Sequence, residues 1–314
     1  MERPSAGVWE RQDAVMVEKT FDGDTLSEAI CSQTFVKTCE FWEELPSTND
    51  RAAALAEVDA ALLPLLVWTE HQTAGRGRGG HQWWSAAGAL TVSLLLEGKD
   101  CTGRFRWAAA GSGNAALACQ GRLMPGDGRC ARGLPERHDA PRSAMVSLAA
   151  ALAVIDAVGP LVDGEVGLHW PNDVFALGRK LSGVLIEVLP NGRHVIGLGI
   201  NANNSSAAAP RELRKRLISL ADLRSQPVDR VALTVALCES LRHRLEQLRE
   251  DSHAVAAAAD RACLQRGWTL TIRDGQAEFT GRCEGIDCWG RLCLSVPPAG
   301  LRCFANGMLI HGAD

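Results

Sequence analysis

The sequence has no excess of positive charge. Its 33 Lys and Arg against 37 Asp and Glu give a formal net charge of -4 over 314 residues, which argues against a general polyanion binder while leaving room for a local basic patch. No nucleic-acid partner is expected. Long apolar runs are missing too: the longest, residues 144–158, is interrupted by Asp156 and is too short to span a bilayer. The chain opens Met1-Glu2-Arg3-Pro4 with no apolar stretch behind a basic start, so a cytoplasmic protein without a membrane partner is expected. No two of the 11 cysteines show Cys-x-x-Cys spacing, which removes the usual zinc and redox signatures. Cys283, Cys288, Cys293 and Cys303 lie close together in sequence, so a metal site is conceivable there. Small apolar fillers on strands are the stronger reading, and reduced, mostly structural cysteines with no bound metal are expected. No internal repeat of useful period is present.

What is there suffices for two domains, because 46% hydrophobic content over this length can bury a substantial core. Residues 1–37 show no sustained periodicity and stay unassigned, with room for a strand or two. Ser47 followed three residues later by Asp50, then the Ala-rich run from Arg51, marks a capped helix start. Strand character follows at Leu65–Thr69 and Leu90–Leu96, separated by a loop rich in glycine and arginine. Residues 121–142 concentrate Gly, Pro and Arg and read as a mobile surface insertion. Met145, Leu148, Ala149, Leu152 and Ile155 recur at helical spacing and predict a core helix. Val166–Trp170, Val184–Leu189 and His194–Ile200 predict adjacent strands, and Leu237, Leu241, Leu245 and Leu248 a long amphipathic helix. The last fifty residues offer short strands at Thr269–Arg273, Ala277–Cys283, Leu292–Val296 and Leu301–Ala305, with Asp274-Gly275 as a hairpin turn. A small β barrel is expected there, behind an α/β domain.

Three stretches carry chemistry. Thr69 to Gly80 combines glycines that permit close backbone approach with Arg76 and Arg78 as fixed cations. It lacks the Lys-Ser/Thr ending of a Walker loop and a Rossmann setting. Read alone, it suits an anion cradle and a flexible basic linker equally well. His169-Trp170-Pro171-Asn172-Asp173 closes a predicted strand, where α/β domains collect site residues, although Pro-Asn-Asp is also ordinary turn chemistry. Lys180 follows seven residues after Asp173, ahead of an apolar strand that would carry its head group inward; a lone lysine is otherwise usually solvated. Gly197-Leu198-Gly199-Ile200-Asn201 ends a strand with two glycines, a weak motif by itself.

Taken in order, these stretches resemble the biotin–protein ligase family, over roughly residues 38–314. The family's Ser-Thr-Asn start is matched by Ser47-Thr48-Asn49, and its Gln-x-Ala-Gly-Arg-Gly-Arg loop and Trp by Gln72 to Arg78 and Trp83. Its Trp-Pro-Asn-Asp stretch with following Lys and Gly is matched by Trp170 to Asp173, Lys180 and Gly183, and its Gly-x-Gly-x-Asn by Gly197, Gly199 and Asn201. The resemblance implies an α/β (α+β) fold: a mixed-sheet, class II synthetase-like catalytic domain at 38–264 and a small C-terminal SH3-like β barrel at 265–314. It implies ATP-dependent activation of biotin to biotinyl-5′-AMP and transfer to a lysine of a biotin carboxyl carrier domain, with Mg²⁺ as counter-ion. Biotin contacts are implied at Ser47, Thr48, Asn49, Gln72, Arg76, Gly77, Arg78, Lys180 and Gly183. Adenylate contacts are implied at Gly75, Arg76, Arg78, Trp83, Asn172, Lys180 and Asn201, and chemistry at Lys180, Arg78 and Asp173.

The chain departs from the family pattern at Gly79, where a third arginine is common, and at His169, where a lysine is common. Gly79 is expected to loosen the loop. About 40 residues without a helix-turn-helix pattern precede the catalytic region, so a monofunctional enzyme rather than a repressor is expected, with a homodimer left open. Lipoate–protein ligase and a non-catalytic biotin or adenylate sensor are the alternatives. The Gly-Arg-Gly-Arg loop and C-terminal β module weigh against the first, and Lys180 with both arginines against the second.

Overall fold

In a computed structural model of the chain, residues 5–12, 15–58, 62–102 and 142–310 are described. The expected insertion at 121–142 lies outside them, save for residue 142. The centre is a seven-stranded sheet in the order β3-β4-β5-β9-β8-β7-β6. Its strands are β3 (Thr38–Leu45), β4 (Leu65–Gln72), β5 (Leu90–Leu96), β6 (Val166–His169), β7 (Asp173–Ala176), β8 (Arg179–Val188) and β9 (His194–Ile200). Only β3 and β4 run parallel; the other pairs are antiparallel. Ahead of the sheet, β1 (Ser5–Gln12) and β2 (Val15–Asp22) pair with each other. Helix α1 (Gly23–Gln33) then buries Leu26 and Ile30 completely.

Strand alternation separates core from site. On β5, Leu90, Val92, Leu94 and Leu96 enter the main hydrophobic core, and on β9 Ile196, Leu198 and Ile200 do the same. Between them, Thr91, Ser93, Gly197 and Gly199 fall on the opposite face, because successive side chains of a strand point to opposite sides. That second face is covered in part by α2 (Thr48–Leu55), which packs Ala52 against Leu65, Val67, Leu95 and Val195. The core face is covered by α4 (Arg142–Val158), α6 (Arg230–Glu250) and α7 (Ser252–Ala262), while α3 (Gly98–Thr102) and α5 (Leu220–Arg224) are single short turns. The predicted helical spacings hold: Met145, Leu148, Ala149 and Leu152 are buried on α4, and Leu237, Leu241, Leu245 and Leu248 on α6. Among the described residues one helix, Ser143–Leu161, is long and apolar enough to cross a membrane. Its apolar side chains are packed against the sheet, α6 and α7.

A buried ion pair ties α6 to the sheet. Arg230, 5% exposed, holds Glu70 of β4 through both carboxylate oxygens at 2.7 and 2.9 Å and also donates to Ala89 O. Removing one partner strands the other's charge in low dielectric, so Glu70→Ala is expected to destabilise the fold by about 3–5 kcal/mol. Urea unfolding of the variant beside the parent measures this; a loss within about 1 kcal/mol would show that water reaches Arg230 freely.

The C-terminal strands correct two expectations. β10 (Thr269–Asp274), β11 (Ala277–Ile286), β12 (Leu292–Val296), β13 (Gly300–Phe304) and β14 (Met308–Ile310) form one antiparallel sheet in the order β13-β12-β11-β10-β14. Four gaps of about 4.8 Å separate its edges in a flat sheet, whereas the short β13–β14 connection reaches at most about 14 Å. The sheet must therefore curl. Yet among the described residues β14, three residues long, pairs only with β10, and β13 only with β12, so the sheet stays open and is not the expected SH3-like barrel. No feature of the described residues supports the class II synthetase likeness either, and the fold is a mixed α/β one. The β12–β13 register also sets Cys293 opposite Cys303 with Cα atoms 4.1 Å apart, joined in a disulfide. This corrects the expectation of wholly reduced cysteines, which spacing in sequence could not reveal. Among the described residues, Cys31, Cys39, Cys101, Cys238, Cys263 and Cys283 form no disulfide.

Candidate active site

The second face of the sheet carries a small cavity lined by Ser47, Thr48, Asn49, Gln72, Arg76, Trp83, Leu185, Gly197, Leu198 and Gly199. Three of the four family motifs meet there, contributed by the start of α2, the end of β4 with its following loop, and β9. Ser47 is the N-cap of α2, its hydroxyl accepting from Asp50 N–H at 3.3 Å, as the Ser-x-x-Asp spacing predicts. This cap fixes the turn that faces Thr48 and Asn49 inward, and all three residues are buried.

Buried polar groups need partners, and here they supply each other. Gln72 Oε1 accepts from Thr48 N–H at 2.8 Å and lies 3.1 Å from the Thr48 hydroxyl. Ser93 Oγ is 2.7 Å from Thr48 Oγ1 and 2.6 Å from Asn49 Oδ1. Gln72 Oε1 and Asn49 Oδ1 can only accept, so the Thr48 hydroxyl donates to Gln72 and the single Ser93 proton is shared between Asn49 Oδ1 and Thr48 Oγ1. Asn49 Nδ2 donates to Glu187 Oε2 at 2.6 Å. Gln72 N–H donates to Ser85 Oγ at 3.2 Å. The glycines make room for this cluster. A Cβ at Gly197 would overlap the Asn49 amide, one at Gly199 would lie 2.5 Å from the Trp83 ring, and one at Gly75 would lie 2.7 Å from Gln72 Nε2.

The glycine-arginine loop is pinned at both ends of its charged stretch. Arg76 and Gln82 form an isolated antiparallel bridge, and Arg76 donates to both oxygens of Asp50 at 2.6 and 2.7 Å and to Glu187 at 3.1 and 3.3 Å. Its hydrogen bonds to Asp50 push the guanidinium above its ordinary pKa. Arg78 differs: it donates to the neutral Asn306 at 3.3 Å, and burial pushes it below its ordinary value, opposed by the nearby Asp173 charge. Among the described residues no carboxylate is in hydrogen-bond contact with Arg78, a partly desolvated cation and the better placed of the two to meet an anion. Gly79 has φ +68° and Gly80 φ +80°. An arginine at 79, common in the family pattern, would sit in the left-handed region at a cost of about 1 kcal/mol.

Lys180 enters β8 with its head group 2.7 Å from Asp173 Oδ2 and 5.9 Å from the centre of the Trp83 ring, its side chain about a third exposed. Its backbone is held by Arg216 and Ile218 on one side and by Asn201 Nδ2 on the other. Asn172 Nδ2 donates to Val184 O at 2.7 Å, which fixes the turn carrying Asp173. Gly183 faces Asp173 and Lys180, where a Cβ would lie 3.3 Å from both side chains. Two polar atoms in this group, Trp83 Nε1 and Asp173 Oδ1, are buried without a hydrogen-bond partner among the described residues, an arrangement that invites an acceptor and a donor or cation from a ligand. His169 stacks on Phe175 at 4.4 Å.

Sequence reading placed Ser47, Thr48, Asn49, Gln72, Gly75, Arg76, Gly77, Arg78, Trp83, Asn172, Asp173, Lys180, Gly183 and Asn201 around one site. The structure divides most of them between the cavity and the neighbouring Lys180–Asp173 pair, with Trp83 between the two, while Gly77 meets His81 within the loop and is not brought to either. It adds Asp50, Ser93 and Glu187. Ser93 is a hydroxyl in a strand whose seven residues are all buried, and Glu187 a carboxylate in the apolar run of β8; polar residues inside such runs are the signal that finds them.

Residues 43–108 match the biotin/lipoate A/B protein ligase family. The biotin–[acetyl-CoA-carboxylase] ligase of Mycobacterium tuberculosis is 33% identical over 252 residues, covering 78% of this chain and 77% of that protein. The bifunctional ligase/repressor BirA of Bacillus subtilis is 26% identical, covering 82% and 69%. The biotin protein ligase of Aquifex aeolicus, solved with biotin and ATP, has a similar fold with a TM-score of 0.66 at 22% identity, over 87% of this chain and 98% of that one. With one relative this similar over most of both chains, the protein belongs to the biotin–protein ligase family.

Proposed function

We propose that the protein activates biotin with ATP to biotinyl-5′-AMP and transfers the biotin to a lysine of a biotin carboxyl carrier domain. The observation that carries this reading is the buried Thr48–Gln72–Ser93–Asn49 network set beside Lys180 and Arg78. The network offers donors and acceptors to a compact polar head group such as the biotin ring system, while Lys180 and Arg78 supply positive charge for a carboxylate and a phosphate. The biotin carboxylate attacks the α-phosphorus, the bond to pyrophosphate breaks, and the carrier amine later displaces AMP. Both reactants of the first step are anions, and fixed positive charge must offset their repulsion in the transition state.

In this reading Ser47, Thr48, Asn49, Gln72 and the backbone at Gly77 and Gly183 contact biotin. Lys180 reaches its carboxylate and the α-phosphate. Gly75, Arg78, Trp83, Asn172 and Asn201 surround the adenylate. Asp173, already in contact with Lys180, receives or steers the incoming amine. Mg²⁺ fits as a phosphate-borne counter-ion, for Asp173 Oδ1 is the one partnerless carboxylate oxygen among the described site residues, and an ion that keeps most of its phosphate and water ligands needs few from the protein. When bound, it neutralises part of the triphosphate charge. We take residues 38–264 as the catalytic unit and 265–314 as the β module, in a cytoplasmic, monofunctional enzyme. The described residues ahead of β3 form a hairpin and α1 rather than a helix-turn-helix.

The test is the intact mass of a purified carrier domain after incubation with the protein, Mg-ATP and biotin, beside a lipoate sample. One added biotin is expected; lipoylation instead, or no addition with either acid, rejects the reading. Arg78→Gly is expected to free the distal loop from Asn306 and weaken its hold on the adenylate, raising labelling of bystander proteins about tenfold. Bystander labelling equal to the parent's would remove Arg78 from that role.

A further inference from the structure

Arg76 is already neutralised by two carboxylates rather than free for an incoming phosphate. Asp50 takes one amino group of the guanidinium and Glu187 the other. Glu187 also accepts from Asn49 Nδ2 at 2.6 Å. One carboxylate on β8 thus grips both the stem of the glycine-arginine loop and the side chain next to the cavity floor at Gly197.

We propose that Glu187 is a positioning residue for the ligase reaction, setting the Asn49 amide for biotin and anchoring the loop stem through Arg76. This rests on the function proposed above. With Asn49 Nδ2 committed to Glu187, its Oδ1 is turned to the Ser93 hydroxyl, so the amide has one orientation rather than two. With Arg76 held between α2 and β8, the stem of the loop is fixed ahead of the Arg78–Gly80 turn.

A carboxylate is required for both grips at once. Asn49 and Arg76 are both donors, and Glu187 meets them with two acceptor oxygens. Glutamine has one acceptor oxygen, so in Glu187→Gln an N–H must face either the Asn49 amide or the guanidinium. Arg76→Lys keeps the charge but loses the planar fork that reaches two carboxylates.

The experiment uses the full chain carrying Glu187→Gln, Glu187→Asp or Arg76→Lys. It measures the KM for biotin and kcat in carrier biotinylation, the biotin Kd by calorimetry, the fraction of adenylate lost to solution, and the unfolding midpoint. Glu187→Gln is expected to raise KM and Kd for biotin about tenfold and to increase adenylate loss, with kcat within about threefold and the midpoint unchanged. Glu187→Asp should recover part of the affinity. Arg76→Lys is expected to increase adenylate loss while changing the biotin Kd less, because it spares the Asn49 contact. Unchanged biotin Kd and adenylate loss in Glu187→Gln, or changes that only follow a lowered midpoint, overturn the proposal. Should Glu187→Gln not fold, unchanged adenylate loss in folded Arg76→Lys overturns it. A parent that biotinylates no carrier rejects the proposed function instead, while the calorimetric comparison still reads Glu187.

Discussion

Lys180→Ala is expected to slow biotinyl-adenylate formation by about a hundredfold or more at saturating substrates. Lys180 and Arg78 are the site cations not already clasped by two carboxylates, and Lys180 sits at the entry of β8 with its backbone tied to residues 216–218 and Asn201. An ammonium held this way needs little reorganisation when two anions converge on it. One ion pair at about 4 Å, at an effective dielectric near 20, is worth about 4 kcal/mol. Discounted for a head group about a third exposed, about 3 kcal/mol remains, and each 1.4 kcal/mol or so is tenfold in rate. Asp173 adds to the loss, since without Lys180 its carboxylate would repel the phosphate. The measurement is single-turnover formation of labelled adenylate, separate from transfer to the carrier. A rate within about threefold of the parent would mean that Arg78 and Mg²⁺ carry the charge alone, and Lys180 would leave the list of reacting groups. Lys180→Arg should restore charge but not position, because the guanidinium is broader than the ammonium that fits between Asp173 and Trp83.

Much of this site was legible because its residues sit at element ends, where local sequence rules act. The Ser47 cap, the Gly-Arg loop and the turn at Pro171 to Asp173 each carry a backbone reason for their residue types. β5, β9 and β12 could be bounded from apolar runs alone. Asp50 and Glu187 escaped because their meaning is tertiary: they are 137 positions apart in sequence and become a pair only through Arg76. Ser93 escaped because one hydroxyl inside Leu-Thr-Val-Ser-Leu-Leu-Leu reads as a tolerated core residue until its neighbours across the sheet are known. The barrel expectation failed for a related reason. Strand positions follow from periodicity, but closure depends on whether the two edge strands pair, and a three-residue β14 that pairs with β10 alone does not reach β13. The Cys293–Cys303 bond likewise depends on register, which residue spacing does not fix.

Gly197→Val is expected to abolish detectable biotin binding, a loss of at least about a hundredfold in affinity, while leaving the fold as stable as the parent's or more so. Every residue of β9 is buried, and such a strand favours branched side chains over glycine, which weakens strands by about 0.5–1 kcal/mol relative to alanine. Two glycines in seven residues therefore work against the strand's own stability. They are explained by what lies above them: the Asn49 amide rests on the bare backbone at 197, and the Trp83 ring on that at 199. A valine at 197 must push Asn49 off its contacts with Ser93 and Glu187 or distort β9 against β5 and β8, and the strand is paired on both sides. Asn49 is the softer element, so the site fails before the sheet does. Isothermal calorimetry with biotin, paired with urea unfolding, separates the two. Retained binding would mean that Asn49 relaxes without leaving the biotin contact, and lost binding with an equally large loss of stability would mean that the glycine serves the sheet rather than the site. Gly199→Ala provides the contrast: its new methyl meets the Trp83 ring, so adenylate retention should fall while biotin affinity changes less, placing the two glycines under different halves of the same intermediate.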